Sequence, residues 1–333
     1  MKIAKLRNTL LALATALTLV IGPASGYAAA DTSSSALKNN ANSLKLAPLR
    51  TDLTVNPGKS GTVTVYVTNL TGNTIVLQPI ENDFVSGDEK GTPAIILDQN
   101  SYAPTHSLKR FMVPLQNITV GAHVTQAVNL TINVPATAQA GGYFGALRFA
   151  PAGAADQPVA LSSSVASLIL LTVPGPTVEK LALTNFDVQQ NGGTASNFRT
   201  PDNLSLLVRF QNKGNLQEAP FGQIAVQQGK KVLYTYNFNQ QDPKDEVLPD
   251  SSRRWLVPLK HLGKFGKYTV SGTFGYGKGQ TIQVSKTVWI IPTAYIIAAV
   301  AIVLAIILII FGTRFFLKSY KRRILRSSSR RRY

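Results

Sequence analysis

Residues 294–312 are nineteen in a row without a charge, and a run of that kind leaves a chain few places to put it. As a helix it measures about 28 Å, close to the roughly 30 Å of a bilayer's hydrocarbon core. Burying it on all sides in a soluble fold would need a large domain around it, and only twenty-one residues follow. Residues 290–313 therefore read as a transmembrane helix. Pro292 suits a first helical turn, and Trp289 and Tyr295 sit where aromatic side chains meet the headgroups. Beyond the run, residues 314–333 hold nine Lys or Arg and no acid, with Arg314, Lys318, Lys321, Arg322 and Arg323 nearest the lipid. That excess assigns the tail to the cytoplasm and predicts a single-pass, type I membrane protein with its preceding domains outside the cell. Leu317, Tyr320, Ile324 and Leu325 recur at helical spacing among the bases, so the tail is either an interfacial helix on anionic lipid or a plain stop-transfer anchor.

The N-terminal end supports export. Lys2, Lys5 and Arg7 precede an apolar run over 10–21 and then Ala28-Ala29-Ala30. A run of about 12 residues is too short to span a bilayer, so residues 1–30 read as a signal peptide cleaved after Ala30. Of the net charge of +18, the signal and tail take most, leaving +6 on residues 31–313. The basic balance thus follows from topology and is no nucleic-acid footprint. Cysteine is absent, which excludes disulfides, thiolate metal sites and a cysteine nucleophile. Folding has to rest on hydrophobic cores, for which domains of about 130 and 115 residues are large enough.

Residues 31–45 are rich in Ser, Asn and Ala without apolar period and read as a flexible leader. Then short alternating strands begin. Val63, Val65 and Val67 alternate with Thr62, Thr64 and Tyr66, and Val128, Leu130, Ile132 and Val134 with Asn129, Thr131 and Asn133, so one face of each strand is core. Asn56-Pro57-Gly58-Lys59 suits a type II turn. Gly72-Asn73 can close a hairpin onto a strand over 74–84. Further runs at 94–97, 108–113, 143–149 and 168–173 complete a β-sandwich over 46–174. Pro174-Gly175-Pro176 is a stiff break, after which Leu204, Leu206, Val208 and Phe210 open a second set. Runs at 224–228, 232–238, 254–259, 268–276 and 281–288 complete a second sandwich over 176–288. The fold class is mainly β: two tandem immunoglobulin-like antiparallel sandwiches and a C-terminal transmembrane helix.

Catalytic signatures are missing. His106, His123 and His261 have no zinc-type spacing, and there is no H-E-x-x-H, G-x-S-x-G, phosphate loop or dinucleotide fingerprint. The chain reads as a non-enzyme without cofactor or metal. Asp88-Glu89 and Asp245-Glu246 read as solvated turn residues, with calcium or acid–base chemistry as the other reading. The sequons at Asn69, Asn117, Asn129 and Asn203 read as ordinary strand-end polar residues in a bacterial protein. Gly141-Gly142-Tyr143-Phe144-Gly145 reads as a bend and bulge, or as a place where backbone approaches a ligand. Tyr102, Phe111, Tyr143 and Phe144 are either packing aromatics or platforms for sugar rings.

Val55-Asn56-Pro57-Gly58, then Val63 to Asn69, Asn82-Asp83-Phe84, Gly91-Thr92-Pro93, Ser107-Leu108, and Val134-Pro135 with Ala138 and Gly141 to Gly145, resemble the N-terminal domain of the WxL-interacting proteins. The resemblance implies a bacterial cell-surface protein with a peptidoglycan-binding immunoglobulin-like domain and a second sandwich for partner proteins, followed by a transmembrane helix and a basic tail. The second half matches more weakly, through Arg209 to Asn215, Leu248-Pro249 with Arg253-Arg254, and Gly266-Lys267-Tyr268. The implied partners are peptidoglycan, surface proteins taken up by strand addition and the lipid bilayer, with an adhesion or scaffold role. The alternative is an accessory or chaperone subunit of a membrane-embedded secretion or surface-assembly complex.

Overall fold

The computed structural model describes residues 43–152 and 164–328, the side chains of 322–328 excepted. The signal-like segment and most of the leader lie outside the described residues, as do the side chains of Arg322 and Arg323.

The first sandwich faces a three-stranded sheet with a six-stranded one. The small sheet has the order β1 (Leu44–Ala47), β3 (Ser60–Asn69), β7 (Thr125–Asn133). The large one runs β2 (Arg50–Thr54), β9 (Val165–Val173), β8 (Gly141–Pro151), β4 (Ile75–Ser86), β5 (Pro93–Ile95), with β6 (Ile118–Val120) also on β4. β2 lies parallel to β9 and the other ladders are antiparallel. The period of two does the sorting: Val63, Val65, Val67, Val128, Leu130 and Ile132 point inward from the small sheet and meet Leu77, Leu147, Phe149, Ile169 and Leu171 of the large one. Each such side chain contributes about 1.5–3 kcal/mol by leaving water, the resource on which a chain without disulfides depends.

Two sequence expectations give way to other geometry here. Gly72-Asn73 does not close a hairpin, because β3 and β4 belong to opposite sheets and the chain arches between them. Asn69 holds the arch. Its buried amide donates to the carbonyls of Asn73, Val120 and Gly121 at 2.7, 3.1 and 2.9 Å and its oxygen accepts from Thr71, so this sequon is a buried turn organiser. The stretch 108–113 is no strand but a 3-10 turn at Lys109–Phe111, with a single bridge from Met112 to Ile132. The type II turn at Asn56 to Lys59 stands, with Gly58 at φ +75° and the Lys59 N–H on the Asn56 carbonyl at 3.1 Å.

The second sandwich packs a sheet of order β11 (Gly193–Thr194), β10 (Leu181–Gln190), β13 (Leu204–Asn212), β16 (Ser252–Pro258) on a sheet of order β12 (Asn197–Phe198), β18 (Gln280–Ile290), β17 (Gly266–Tyr276), β14 (Phe221–Gln228), β15 (Lys231–Phe238). Its core centres on Phe210, Phe238 and Phe274, whose rings meet edge-on or tilted with centroids 5.1–6.2 Å apart, the arrangement aromatic quadrupoles favour. Asn212 repeats the role of Asn69 at the end of β13, donating to Leu216 and Val247 and accepting from Gly214. Both sandwiches therefore use buried asparagines to carry the chain from sheet to sheet, Asn239 doing so again between β15 and β16.

After Ile291 and Pro292 the chain enters α1 (Thr293–Ser328), 36 residues long. It is long and apolar enough over Thr293–Lys321 to cross a membrane, and no part of that stretch is buried in the protein. At 1.5 Å per residue it measures about 54 Å, well beyond a hydrocarbon core, so the helix continues into the basic tail as far as Ser328. Arg314, Lys318 and Lys321 are exposed on it.

Candidate functional site

The two sandwiches meet in a braced junction that the acid pairs build. Glu89, in the β4–β5 turn, accepts the Arg209 fork of β13 on one oxygen at 2.6 and 3.0 Å, and its carbonyl takes the Arg254 N–H of β16 at 2.7 Å. In exchange, Glu246 of the second sandwich pairs with Arg50 of β2 at 2.8 Å. Asp88 caps its own turn through Lys90 and Thr92, while Asp245 holds Arg253 and the Trp255 indole. Glu89 and Glu246 are thus braces, Asp245 holds its neighbours Arg253 and Trp255, and Asp88 is the solvated turn residue that the sequence suggests. The Arg209 hydrogen bond holds the Glu89 carboxyl below its ordinary range, whereas burial raises that of Glu246 against the pull of Arg50. Leu248 packs on Phe84, Phe144 and Leu170, closing an apolar seam between the braces.

Gly141 and Gly142 serve the same junction, while Gly145 makes room for Met112 and Leu108 within the first sandwich. The β8–β9 register runs unbroken from Gly141 to Phe149, so there is no bulge. Instead the second sandwich comes up against the backbone: the Gly142 N–H donates to the Asn215 carbonyl at 2.8 Å, and the Asn215 amide donates to Ala140 at 2.7 Å. A Cβ on Gly141, at φ +145°, would stand 2.5 Å from the Asn215 oxygen.

Beside this contact lies an open cleft of about 410 Å³, lined by His106, Arg110, Phe111, Gln139, Tyr143 and Asn215 among others. Asp83 positions its outer wall. Buried at the end of the β4–β8 ladder, its carboxylate accepts from Ala103 N, Ser107 Oγ and Lys109 N at 2.6–2.8 Å and so pins the loop that carries His106 and Arg110. His106, at φ +58°, contacts the Gly142 carbonyl through Nδ1 at 2.6 Å, so Nδ1 carries the proton and donates. Tyr143 and Phe111 pack at 4.8 Å, and the Tyr143 hydroxyl donates to Gln139 while burial raises its pKa. Arg110 stacks on the exposed Tyr102 ring at 4.5 Å.

The four aromatics singled out in the sequence therefore separate. Phe111 and Tyr143 line the cleft, Tyr102 stands next to it under Arg110, and Phe144 is buried in the seam at 3% exposure. At the other end Trp289 is half-exposed with the Lys267 ammonium over its ring at 5.9 Å, and Tyr295 meets Phe265 at 5.1 Å. Sequence reasoning passed over Arg50, and it met Asp83, Arg209 and Asn215 only as parts of the resemblance, with no role for them. The braces join residues 120 and 196 positions apart, and no local pattern announces them. No group of three or more His, Cys, Asp or Glu among the described residues is placed to hold a metal.

No protein-family model and no curated protein matches the chain. Among solved structures, one described as a chaperone–tip adhesin complex of CFA/I fimbriae biogenesis is 12% identical and covers 73% of this chain and 98% of its own at a TM-score of 0.39. The class 5 fimbriae chaperone CfaA is 10% identical over 74% of this chain and 98% of its own, with a TM-score of 0.38. The E. coli chaperone DraB is 17% identical over 73% and 97%, with a TM-score of 0.32. At such scores the likenesses bear no functional weight.

Proposed function

We propose that this chain is a non-enzymatic protein of the cell surface, anchored by α1 with both sandwiches outside the cell, that holds partner surface proteins for display or assembly. The open edge of β18 carries this reading. β17 ladders its whole inner side, but β12 meets its outer side only at Trp289 and Ile290. The Trp289 and Ile291 N–H groups donate outward, to Ser196 and Phe198, so the odd positions Thr281, Gln283, Ser285 and Thr287 turn their N–H and C=O the same way. None of these has a backbone partner there among the described residues. Ile282 and Val284 are only half-buried, and an added partner strand would cover them and complete the ladder. Lys286 guards the edge against indiscriminate pairing, its charge answered by Asp187 at 2.8 Å.

A proline at position 285 removes one outward donor and leaves the β17 ladder intact, as edge strands tolerate. With Ser285→Pro, the surface proteins recovered with the full chain from its own membranes should fall by roughly tenfold while circular dichroism is unchanged. Undiminished recovery of the same proteins would rule out this edge.

The peptidoglycan layer is a second ligand, favoured by the cleft and by the resemblance to WxL-interacting proteins. Tyr143 and Phe111 offer ring faces, Gln139 hydrogen bonds, and Arg110 a charge oriented by Tyr102, a mixture suited to sugars. Co-sedimentation of the full chain in detergent with insoluble peptidoglycan should resist salt, and Tyr143→Ala with Arg110→Ala should weaken it by roughly tenfold. Wild-type binding lost at modest salt would reduce it to charge attraction.

A further inference from the structure

Sheet pairing brings separated stretches of the second sandwich to one pole. Gly266 and Lys267, opening β17, face Ile290 and Trp289 at the end of β18, and Asn197 and Phe198 of β12 flank the same two residues. A Cβ on Gly266 would lie 2.6 Å from the Gln228 amide, which puts the β14–β15 turn here too, and Tyr234 of β15 meets His261 at 5.6 Å. The helix α1 departs from this pole, since only Ile291 and Pro292 lie between it and β18.

The chemistry of the pole is one-sided. Arg199, Lys230, Lys231, Lys260, Lys264 and Lys267 are all exposed on it, against the single acid Asp202, and no Asp or Glu occurs anywhere after Asp250. Among the bases stand large apolar groups in water: Phe265 at 53%, Val232 at 51% and Trp289 at 40% exposure. Phe265 is held there deliberately. The Tyr268 hydroxyl accepts from Gly263 N at 2.9 Å and donates to the Phe265 carbonyl at 3.2 Å, fixing the loop, and the Phe265 ring rests on Tyr295 in the first turn of α1.

From this we infer that the pole is a docking face for the anionic headgroups of the bilayer that α1 crosses, so that the sandwiches stand in a set pose and are not free on a tether. The inference rests on reading α1 as a transmembrane anchor. A connector of two residues spans at most about 10 Å, comparable with the roughly 8 Å Debye length at physiological salt, so the six cations lie within reach of the headgroup potential. Aromatic side chains partition to that same layer. Export of so basic a face is no obstacle, because large domains translocate largely regardless of charge. Since the junction braces the first sandwich to the second, the docked pose also sets where the cleft faces.

The absence of cysteine allows a clean test in the full chain. Fluorophores are attached singly through Lys264→Cys at the pole or Lys278→Cys in the β17–β18 turn at the far end of the ladder. The labelled chains are reconstituted in vesicles of phosphatidylcholine alone or with one-third phosphatidylglycerol, and a headgroup-linked quencher is added. The position-264 probe should be quenched roughly tenfold more than the position-278 probe in anionic vesicles, with the difference shrinking at high salt. It should also shrink when Lys230, Lys231, Lys260 and Lys267 are all changed to Glu. Retention of the chain in the vesicles after alkaline washing, together with equal quenching at both positions or no dependence on lipid charge, overturns the docking face and leaves the anchor standing. Release of the unlabelled chain by the wash overturns the anchor, and the docking face falls with it.

Discussion

The Glu218→Gln variant is expected to stabilise the second sandwich at pH 8 and to change little at pH 4. Glu218 is 3% exposed, and one carboxylate oxygen has no hydrogen-bond partner. Burial, with Glu179 nearby, pushes its pKa from 4.5 up to about 7. A carboxyl whose folded pKa is raised takes up a proton on folding, so its penalty is absent below the unfolded value of 4.5 and grows as pH rises to about 7. Above that pH the charged form costs about 3 kcal/mol. Glutamine keeps the shape and an acceptor for the Gly277 N–H, yet it has no charge to bury. Tryptophan fluorescence reports the effect, because the chain's two tryptophans, Trp255 and Trp289, both belong to the second sandwich. Denaturation midpoints should fall more steeply between pH 5 and 8 in the wild type than in the variant, where the raised Glu246 carboxyl keeps a smaller slope. Parallel pH profiles for the two proteins would mean that Glu218 is not the group responsible.

The Gly141→Ala variant should uncouple the sandwiches. The residue sits at φ +145°, where a side chain costs roughly 1–3 kcal/mol, and the new methyl would press on the Asn215 backbone oxygen at 2.5 Å. Unlike a side-chain neighbour, that oxygen cannot rotate away, so the Gly142–Asn215 hydrogen bond has to open and the braces lengthen. In the wild type, tryptophan fluorescence and circular dichroism should follow one thermal transition; in the variant they should separate by about 5 °C or more as each sandwich melts alone. Gly229→Ala is the control, with φ +61° and no atom within 4 Å of its added Cβ. Coincident transitions in Gly141→Ala would show that this contact does not couple the two halves.

The fold was legible wherever one periodicity sufficed. Val63-x-Val65-x-Val67 and Leu204-x-Leu206-x-Val208-x-Phe210 announce strands with one buried face, and all seven side chains are buried. The uncharged run announces its helix by length alone. Legibility failed where two solutions share a local pattern. Gly72-Asn73 suits a hairpin as well as an arch, and the choice fell to Asn69, whose amide finds acceptors in β6 some fifty positions away. Residues 108–113 are apolar enough for a strand, but Asp83 draws the Lys109 N–H into a turn.

What the sequence by itself determined is what rests on short-range chemistry: the alternation that builds β-sandwiches, the Pro-Gly turn at Asn56, the apolar helix and its charged flank, and the exclusion of every cysteine-dependent site. Only the tertiary structure decided that one acid of each pair becomes a reciprocal brace, that two of four candidate aromatics share a cleft, that Phe144 is core, and that six scattered bases crowd one pole. Each of these depends on residues that register and topology bring together across tens to hundreds of positions. Side-chain period says which face of a strand is wet or dry, but not which distant residue will stand opposite it.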